Sequence, residues 1–148
     1  MLYNAISHAT ENFNNNNVLG RGNASVVYAG FFDGSRKAFK VFNNVESFRH
    51  EKNILTILNN HINIINLINY DNENHIIIIE CMDGGTLFNY IDTNIIINAQ
   101  EIIKRLNLAL DISKGLEYIH DNDILHKDIN ASNVLLNNNH TSAKICNF

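Results

Sequence analysis

Alternating apolar and polar positions in the first half of the chain predict five β-strands. Asp33-Gly34 is typical of a tight hairpin turn, and the polar segment Asp71–Asn74 predicts a second hairpin loop. The predicted strands lie in Val18–Phe31, which holds two strands joined by a glycine turn, and in Arg36–Phe42, Ile64–Tyr70 and His75–Glu80.

Apolar residues at three- and four-residue steps predict helices around and after these strands. A short helix is expected at Ile6–Phe13, an amphipathic helix through Phe48–Leu58 before the fourth strand, and a short helix at Leu87–Ile91. Asn98 followed by Glu101 fits a capping box that starts a helix of about five turns. Its expected buried stripe comprises Ile102, Leu106, Ala109, Leu110, Ser113, Leu116 and Ile119.

Two short strands, Val134–Leu136 and Ala143–Cys146, are expected to close the chain as a hairpin. The order is therefore five strands with one inserted helix, then helices, a polar loop and a small hairpin. This order predicts an α+β fold.

Composition excludes several classes of protein. The chain has 148 residues, of which 45% are hydrophobic, and this suits one domain or a piece of a larger one. The net charge of −4 and the lack of a Lys/Arg run argue against nucleic acid and anionic membrane as partners. Two cysteines are too few for a disulfide framework.

Targeting segments are also not expected. The first residues are polar and acid-bearing, unlike a signal peptide. The longest apolar runs, at residues 75–81 and 93–97, are far shorter than the ~18–20 residues that span a membrane. These features predict a cytoplasmic chain without a membrane segment. The 28 asparagines are explained by a bias toward A/T-rich codons, which offers a mutational route to Asn at catalytic positions.

Several groups suited to phosphate chemistry follow one another along the chain. Gly20 and Gly22 lie in a turn between strands, where missing Cβ atoms let backbone N–H groups approach phosphate oxygens. Lys40 lies on a predicted strand and Glu51 on the following helix. An acid and an amide five residues apart stand in "LHKDINASNVLL".

These motifs, in this order, resemble those of a protein kinase domain of the receptor-like/Pelle serine/threonine group. The resemblance rests on "HATENFNNNNVLGRGNASVVYAGFFDGSRKAFKVF", "FRHEKNILTILNNHINIINLINY", "IIIIECMDGGTLFNYI" and "LNLALDISKGLEYIHDNDILHKDINASNVLL". It implies a kinase-like α+β fold: a five-stranded antiparallel N-lobe sheet with one helix, the helical start of a C-lobe, and a small β hairpin. It also implies ATP and Mg²⁺ as cofactors.

The resemblance further implies a role for each site residue. Lys40 would contact the α- and β-phosphates and Glu51 would hold it by a salt bridge, while Asp128 would orient the substrate hydroxyl as catalytic base. Asn133 and Asn147 would be the metal ligands. The nucleotide would be contacted by Leu19, Gly20, Gly22, Val27, Ala38, the gatekeeper Ile79, the hinge residues Glu80 and Met82, and Leu135. His126, Leu55 and Phe148 match an internal hydrophobic column.

Four departures from the family pattern bear on activity. Lys127 replaces an arginine, and Asn130 replaces the lysine that touches the transferring phosphate. Loss of such a donor typically lowers the rate ~10²–10³-fold. Asn147 replaces the Asp of the Asp-Phe-Gly motif, so the metal loses its anchoring charge. Only eleven positions separate Lys40 from Glu51, so the helix is expected to start late and to sit imperfectly.

The resemblance divides the chain into a lead-in segment (1–17), an N-lobe with hinge (18–82) and an incomplete C-lobe (83–148), ending before the activation segment. One reading is an ATP-binding kinase domain with impaired turnover that acts on a protein substrate. The alternatives are a catalytically inactive pseudokinase that regulates a partner kinase, or a fragment without function.

Overall fold

The computed structural model describes residues 1–94 and 98–148, so the end of the apolar run at 93–97 lies outside the described residues. The chain divides into two compact units. The first comprises Met1–Thr56 and Asn66–Cys81, and the second Ile57–Ile65 and Met82–Phe148.

The first unit is built on the predicted five-stranded antiparallel sheet, and the order of its strands is β1-β2-β3-β5-β4. The Asp33-Gly34 turn that joins β2 to β3 has φ values of 47° and 76°, the left-handed conformation that favours this pair of residues. The strands are β1 (Val18–Arg21), β2 (Ser25–Phe32), β3 (Ser35–Phe42), β4 (Leu67–Asp71) and β5 (Ile76–Glu80).

One face of this sheet forms an apolar core with helix α1 (Leu2–Ala9). Ile6, Phe39 and Ile78 are fully buried there. The helix was predicted at Ile6–Phe13, and that boundary is wrong at both ends. Three consecutive residues after Thr10 have φ between 53° and 57°, so the backbone turns left-handed and the helix cannot continue.

Helix α2 (Val45–Leu58) follows β3 after a two-residue gap. The Asn44 side chain accepts a hydrogen bond from the Ser47 N–H (2.8 Å), which satisfies one free donor of the first turn. The expected late start is therefore wrong: the helix begins almost directly after the strand.

The second unit contains helix α3 (Leu87–Thr93), helix α4 (Ala99–Asp121) and a hairpin of β6 (Val134–Leu136) and β7 (Ala143–Ile145). Its apolar core includes Tyr90, Leu108, Val134 and Leu136. Asn98 caps α4 by accepting a hydrogen bond from the Glu101 N–H (2.9 Å), as the capping box predicted.

The predicted strand Ile64–Tyr70 is shorter in the structure, because its first residues pair elsewhere. Ile64 forms a parallel bridge with Ile145, and the Ile65 N–H donates to the Ile145 carbonyl (2.9 Å). These residues extend the small hairpin sheet of the second unit, so β4 begins only at Leu67.

The predicted buried stripe of α4 is wrong for most of its residues, although its last member, Ile119, is fully buried. Ile102, Leu106 and Leu110 are 49%, 63% and 51% exposed, whereas the buried residues are Leu108, Gly115 and Ile119. Both sides of this helix carry apolar residues, and the side that packs is the one facing β7. The Ala143 N–H on β7 donates to the Asp111 carboxylate (2.9 Å), which fixes that orientation.

Among the described residues, no helix combines the length and the apolar character needed to cross a membrane.

Candidate active site

The register of the first sheet gathers one set of predicted site residues on a single face. Val27 pairs with Lys40, and Ala38 pairs with Ile79. Because side chains alternate along a strand and cross-strand partners share a face, Val27, Ala38, Lys40 and Ile79 all lie on one face. That face is opposite to the one formed by Phe39 and Ile78, which packs against α1.

Lys40 and Glu51 form a buried ion pair, as predicted. The Lys40 Nζ lies 2.7 Å from Oε1 and 2.6 Å from Oε2 of Glu51, and the two side chains are 7% and 6% exposed. The short spacing between them does not disturb this contact, since α2 begins early enough to bring Glu51 over the strand. The expectation of an imperfectly placed helix is wrong in this respect.

The glycine turn between β1 and β2 is closed by a hydrogen bond from the Gly22 N–H to the Ser25 carbonyl (2.9 Å). A Cβ added at Gly20 would meet no described atom within 4 Å, and one at Gly22 only Ser25 O at 3.8 Å. Neither glycine has a positive φ. Packing within the described chain therefore does not require glycine at these two positions.

The remaining predicted nucleotide contacts are divided between the units. Leu19 is 49% exposed on β1, and Glu80 ends β5 in the first unit. Glu80 is held by two contacts with Asn66: its Oε1 accepts from the Asn66 N–H (2.7 Å), and its own N–H donates to the Asn66 carbonyl. Met82 and the β6 residue Leu135 belong to the second unit, and both are half-buried.

In the second unit, the carboxylate of Asp128 is held by two carboxamides. Asn130 Nδ2 donates to Oδ1 (3.0 Å), and Asn133 Nδ2 donates to Oδ2 (2.9 Å). Asn133 also donates to the Asp128 carbonyl (2.8 Å), while Asn130 Oδ1 accepts from the Ser132 N–H and caps the 3-10 turn Ala131–Asn133. The predicted residues Asp128, Asn130 and Asn133 thus form one hydrogen-bonded cluster.

Asn147 joins this cluster from the end of the hairpin. Its Nδ2 donates to Asn133 Oδ1 (2.7 Å). Its φ of 62° is left-handed, a conformation in which Asn is enriched. Sequence reasoning placed Asn133 and Asn147 at one metal site but did not anticipate that their side chains bind each other.

His126 links the same loop to β7. Its Nε2 donates to the Cys146 carbonyl (2.9 Å), Nδ1 accepts from the Asp128 N–H (3.3 Å), and its ring centroid lies 4.8 Å from that of Phe148. His126 and Phe148 are the two members of the expected hydrophobic column that belong to the second unit. The third member, Leu55, is fully buried in the first unit.

A residue that sequence reasoning missed is Asn63. It is 2% exposed, and its Nδ2 donates to the Ala143 carbonyl (3.0 Å) on β7. Its backbone carbonyl accepts from the Ile145 N–H. Asn63 therefore positions the strand that leads to Asn147, although nothing in its local sequence distinguishes it from the other asparagines.

The chain belongs to the protein kinase domain family, whose profile matches residues 13–148. Its relatives are receptor-like serine/threonine kinases. It is 34% identical over 159 residues to the G-type lectin S-receptor-like serine/threonine-protein kinase SRK of Arabidopsis thaliana. It is 31% identical over 154 residues to LysM domain receptor-like kinase 3 of Medicago truncatula. It is also 34% identical over 160 residues to calcium/calmodulin-regulated receptor-like kinase 2 of Arabidopsis thaliana.

Each of these alignments covers 99% of the chain, which spans 18%, 24% and 35% of the respective relatives. The comparisons confirm the predicted family and, with the five-stranded sheet and the small hairpin, the predicted fold class.

The family generally uses ATP and Mg²⁺, but the residues of this chain fit Mg²⁺ poorly. Mg²⁺ demands a near-ideal octahedron of oxygens and is usually bound through one or two carboxylates. Here the two residues predicted as metal ligands are the neutral amides Asn133 and Asn147, and Asn133 Oδ1 accepts an N–H from Asn147. Within residues 1–94 and 98–148, no cluster of three His, Cys, Asp or Glu residues could hold a metal ion.

Proposed function

We propose that the chain binds ATP and carries the phosphoryl-transfer groups of a receptor-like serine/threonine kinase in a weakened form. The observation that carries this proposal is the buried Lys40–Glu51 ion pair. Desolvating two charges is expensive, and replacing a buried ion pair with apolar residues is often neutral or stabilising. Stability alone therefore does not explain the pair, whereas a lysine held for phosphate oxygens does.

The glycine turn supports the same ligand. Because no described atom crowds the Cβ positions of Gly20 and Gly22, the space there is open to a group from outside the chain. We propose that backbone N–H groups of this turn contact phosphate oxygens, other than the Gly22 N–H, which donates to the Ser25 carbonyl. Val27, Ala38 and Ile79 would contact the adenine from the face of the sheet that also carries Lys40.

The remaining adenine contacts are proposed from the family pattern. Leu19 and Leu135 would pack against the base, and the backbone at Glu80 and Met82 would pair with its polar edge. Since the proposed ligand is ATP, we place the chain in the cytoplasm. A protein substrate or a partner kinase is the proposed macromolecular partner.

A calorimetric titration and thermal melts with ATP test nucleotide binding. ATP at 100 times its Kd should stabilise the protein by about 2.7 kcal/mol. The double variant Lys40→Met/Glu51→Leu removes the pair without leaving an unpaired charge, and should lose most of this effect. Lys37→Met, which removes an exposed hydrogen bond from Nζ to Ser35 Oγ (2.8 Å), is the matched control and should bind normally. No stabilisation of the unmodified chain, or equal stabilisation of the double variant, would contradict the proposal.

We also propose that turnover is impaired. Asp128 retains the position of the base, but the neutral Asn130 cannot offset the charge that develops on the transferring phosphate. Any Mg²⁺ affinity at Asn133 and Asn147 should be weak, because neither amide carries charge. The second candidate function, an inactive pseudokinase that regulates a partner, is favoured by these same two neutral positions, Asn130 and Asn147.

Transfer of radiolabelled γ-phosphate to a generic protein substrate decides between the two functions. We expect incorporation at the background level of a reaction without enzyme. Incorporation above that level which disappears in Asp128→Ala would show that the transfer machinery works and would refute the proposed impairment.

A further inference from the structure

A continuous line of hydrogen bonds joins the Asp128 loop to the residue after β7. Asn133 Nδ2 donates to the Asp128 carboxylate (2.9 Å), and Asn147 Nδ2 donates to Asn133 Oδ1 (2.7 Å). We call Asp128, Asn133 and Asn147 the amide clasp. Asn133 is buried in the middle, whereas the two outer members are exposed.

The chemistry of Asp128 fixes the direction of every bond in the amide clasp. An ionised carboxylate can only accept, so Asn133 must turn its NH₂ group toward Asp128. Its carbonyl oxygen then faces Asn147, which must in turn present its own NH₂ group. An aspartate at position 147 would offer only acceptor atoms to this oxygen.

The backbone delivers Asn147 to this position. The Cys146 N–H donates to the Asn133 carbonyl (3.0 Å), and the Cys146 carbonyl accepts from His126 Nε2 (2.9 Å). Residue 146 is thus held on both sides by the loop. These backbone contacts place the side chain of Asn147 beside Asn133.

We propose that the amide clasp takes the structural place of a divalent cation in this unit. In a site with a carboxylate at position 147, two oxygen acceptors face each other and a cation must join them. In this chain an N–H group lies between the two side chains instead. The loop and the end of the hairpin are therefore joined when no metal is bound, and Mg²⁺ does not stabilise this connection further.

Thermal melts of the nucleotide-free protein in EDTA and in millimolar Mg²⁺ test this proposal. The unmodified chain should melt at the same temperature in both. Asn147→Asp should melt about 2 to 4 °C lower in EDTA, since it loses one hydrogen bond in a chain of this size, and Mg²⁺ should restore the difference. The matched control Asn138→Asp adds the same charge in the exposed turn of the same hairpin and should show neither effect.

Two outcomes of the melts would overturn the proposal. One is a rise in the melting temperature of the unmodified chain with Mg²⁺ that equals the rise for Asn147→Asp. The other is an equal melting temperature in EDTA for Asn147→Asp and Asn138→Asp. Two facing acceptors, Asn133 Oδ1 and the new carboxylate at position 147, would then not destabilise the protein.

Paramagnetic Mn²⁺ provides a second readout that does not depend on stability. Mn²⁺ prefers the same oxygen ligands as Mg²⁺ and broadens the NMR signals of nearby nuclei. In ¹⁵N-labelled unmodified protein, the side-chain amide signals of Asn133 and Asn147 should keep their width. In Asn147→Asp, the Asn133 signal should broaden. Selective broadening of both amides in the unmodified chain would refute the proposal.

One consequence rests on the proposed function: ATP should bind with similar affinity in EDTA and in Mg²⁺, and Asn147→Asp should bind it more tightly with Mg²⁺. Absence of ATP binding in both conditions would refute the proposed function only, since the melts and Mn²⁺ spectra use no nucleotide. ATP binding that requires Mg²⁺ in the unmodified chain would refute the proposal that the amide clasp takes the place of a cation.

Discussion

Removing the cation from the Lys40–Glu51 pair should strongly destabilise the first unit. Lys40→Met leaves the Glu51 carboxylate, whose side chain is 6% exposed, buried without Lys40. At an effective dielectric constant of about 20, unit charges 2.6 Å apart attract by about 6 kcal/mol before desolvation is counted. Breaking a buried pair by removing one partner typically costs about 3–5 kcal/mol. We therefore expect a loss of this size in the free energy of unfolding.

Urea denaturation followed by circular dichroism measures this loss. For a chain of this length, it corresponds to a fall in Tm of about 6 to 20 °C. The double variant Lys40→Met/Glu51→Leu removes both charges and should recover most of the stability. Lys37→Met, on the opposite face of the same strand, should change the unfolding free energy by less than about 0.5 kcal/mol. The reasoning is refuted if Lys40→Met and Lys37→Met are equally stable, or if the double variant is the least stable of the three.

Two further predictions concern the second unit. Gly115→Ala should lower the unfolding free energy by about 1–3 kcal/mol, because the added Cβ would lie 2.9 Å from the carbonyl oxygen of Asn63. The control Asn107→Ala, at an exposed position of the same helix, should be neutral or stabilising. Equal Tm values for the two variants would contradict this prediction. Burial, followed by the hydrogen bond to Glu101, raises the pKa of Tyr90 to about 12 from 10.0. The folded state therefore holds this proton more tightly, and the stability it contributes is present below pH 10 and lost between pH 10 and about 12. Absorbance at 295 nm should show one late-titrating tyrosine that Tyr90→Phe removes, and an unchanged titration curve in that variant would refute the assignment.

The first sheet could be predicted because local and long-range information agree there. Asp33-Gly34 fixes a two-residue turn, and the turn fixes the register that pairs Val27 with Lys40. Once that register is set, the face carrying Lys40 follows from the two-residue period of a strand. The ion pair with Glu51 was then correctly predicted from the order of the motifs, although the eleven-residue spacing suggested a poorer fit.

The sequence predictions were wrong where one local pattern is compatible with more than one packing arrangement. Helix α4 carries apolar residues on more than one side, so periodicity identifies a helix but does not select which side packs. The choice is made by tertiary contacts, including Asp111 with β7 and the absence of a Cβ at Gly115. Likewise, Ile64 is suitable for any strand, and only its bridge to Ile145 assigns it to the small sheet.

The hydrogen bonds of Asn130, Asn133 and Asn147 could not be predicted, because they depend on which amide faces which acceptor. From sequence, Asn130 and Asn147 are losses of charge at two positions. In the structure each amide also gains a partner: Asn130 caps a turn and binds Asp128, and Asn147 binds Asn133.

The two amides that we propose to weaken catalysis therefore also make hydrogen bonds within the second unit, and these bonds stabilise the Asp128 loop. An aspartate at position 147 would present only acceptor atoms to Asn133 Oδ1, whereas the amides Asn130 and Asn147 are satisfied within the chain. The proposed loss of activity is thus compatible with a kinase-like fold. An Asp128 loop held by neutral donors would keep its shape without nucleotide or cation. Under the proposed impairment of turnover, the fold would therefore still be available as a binding module.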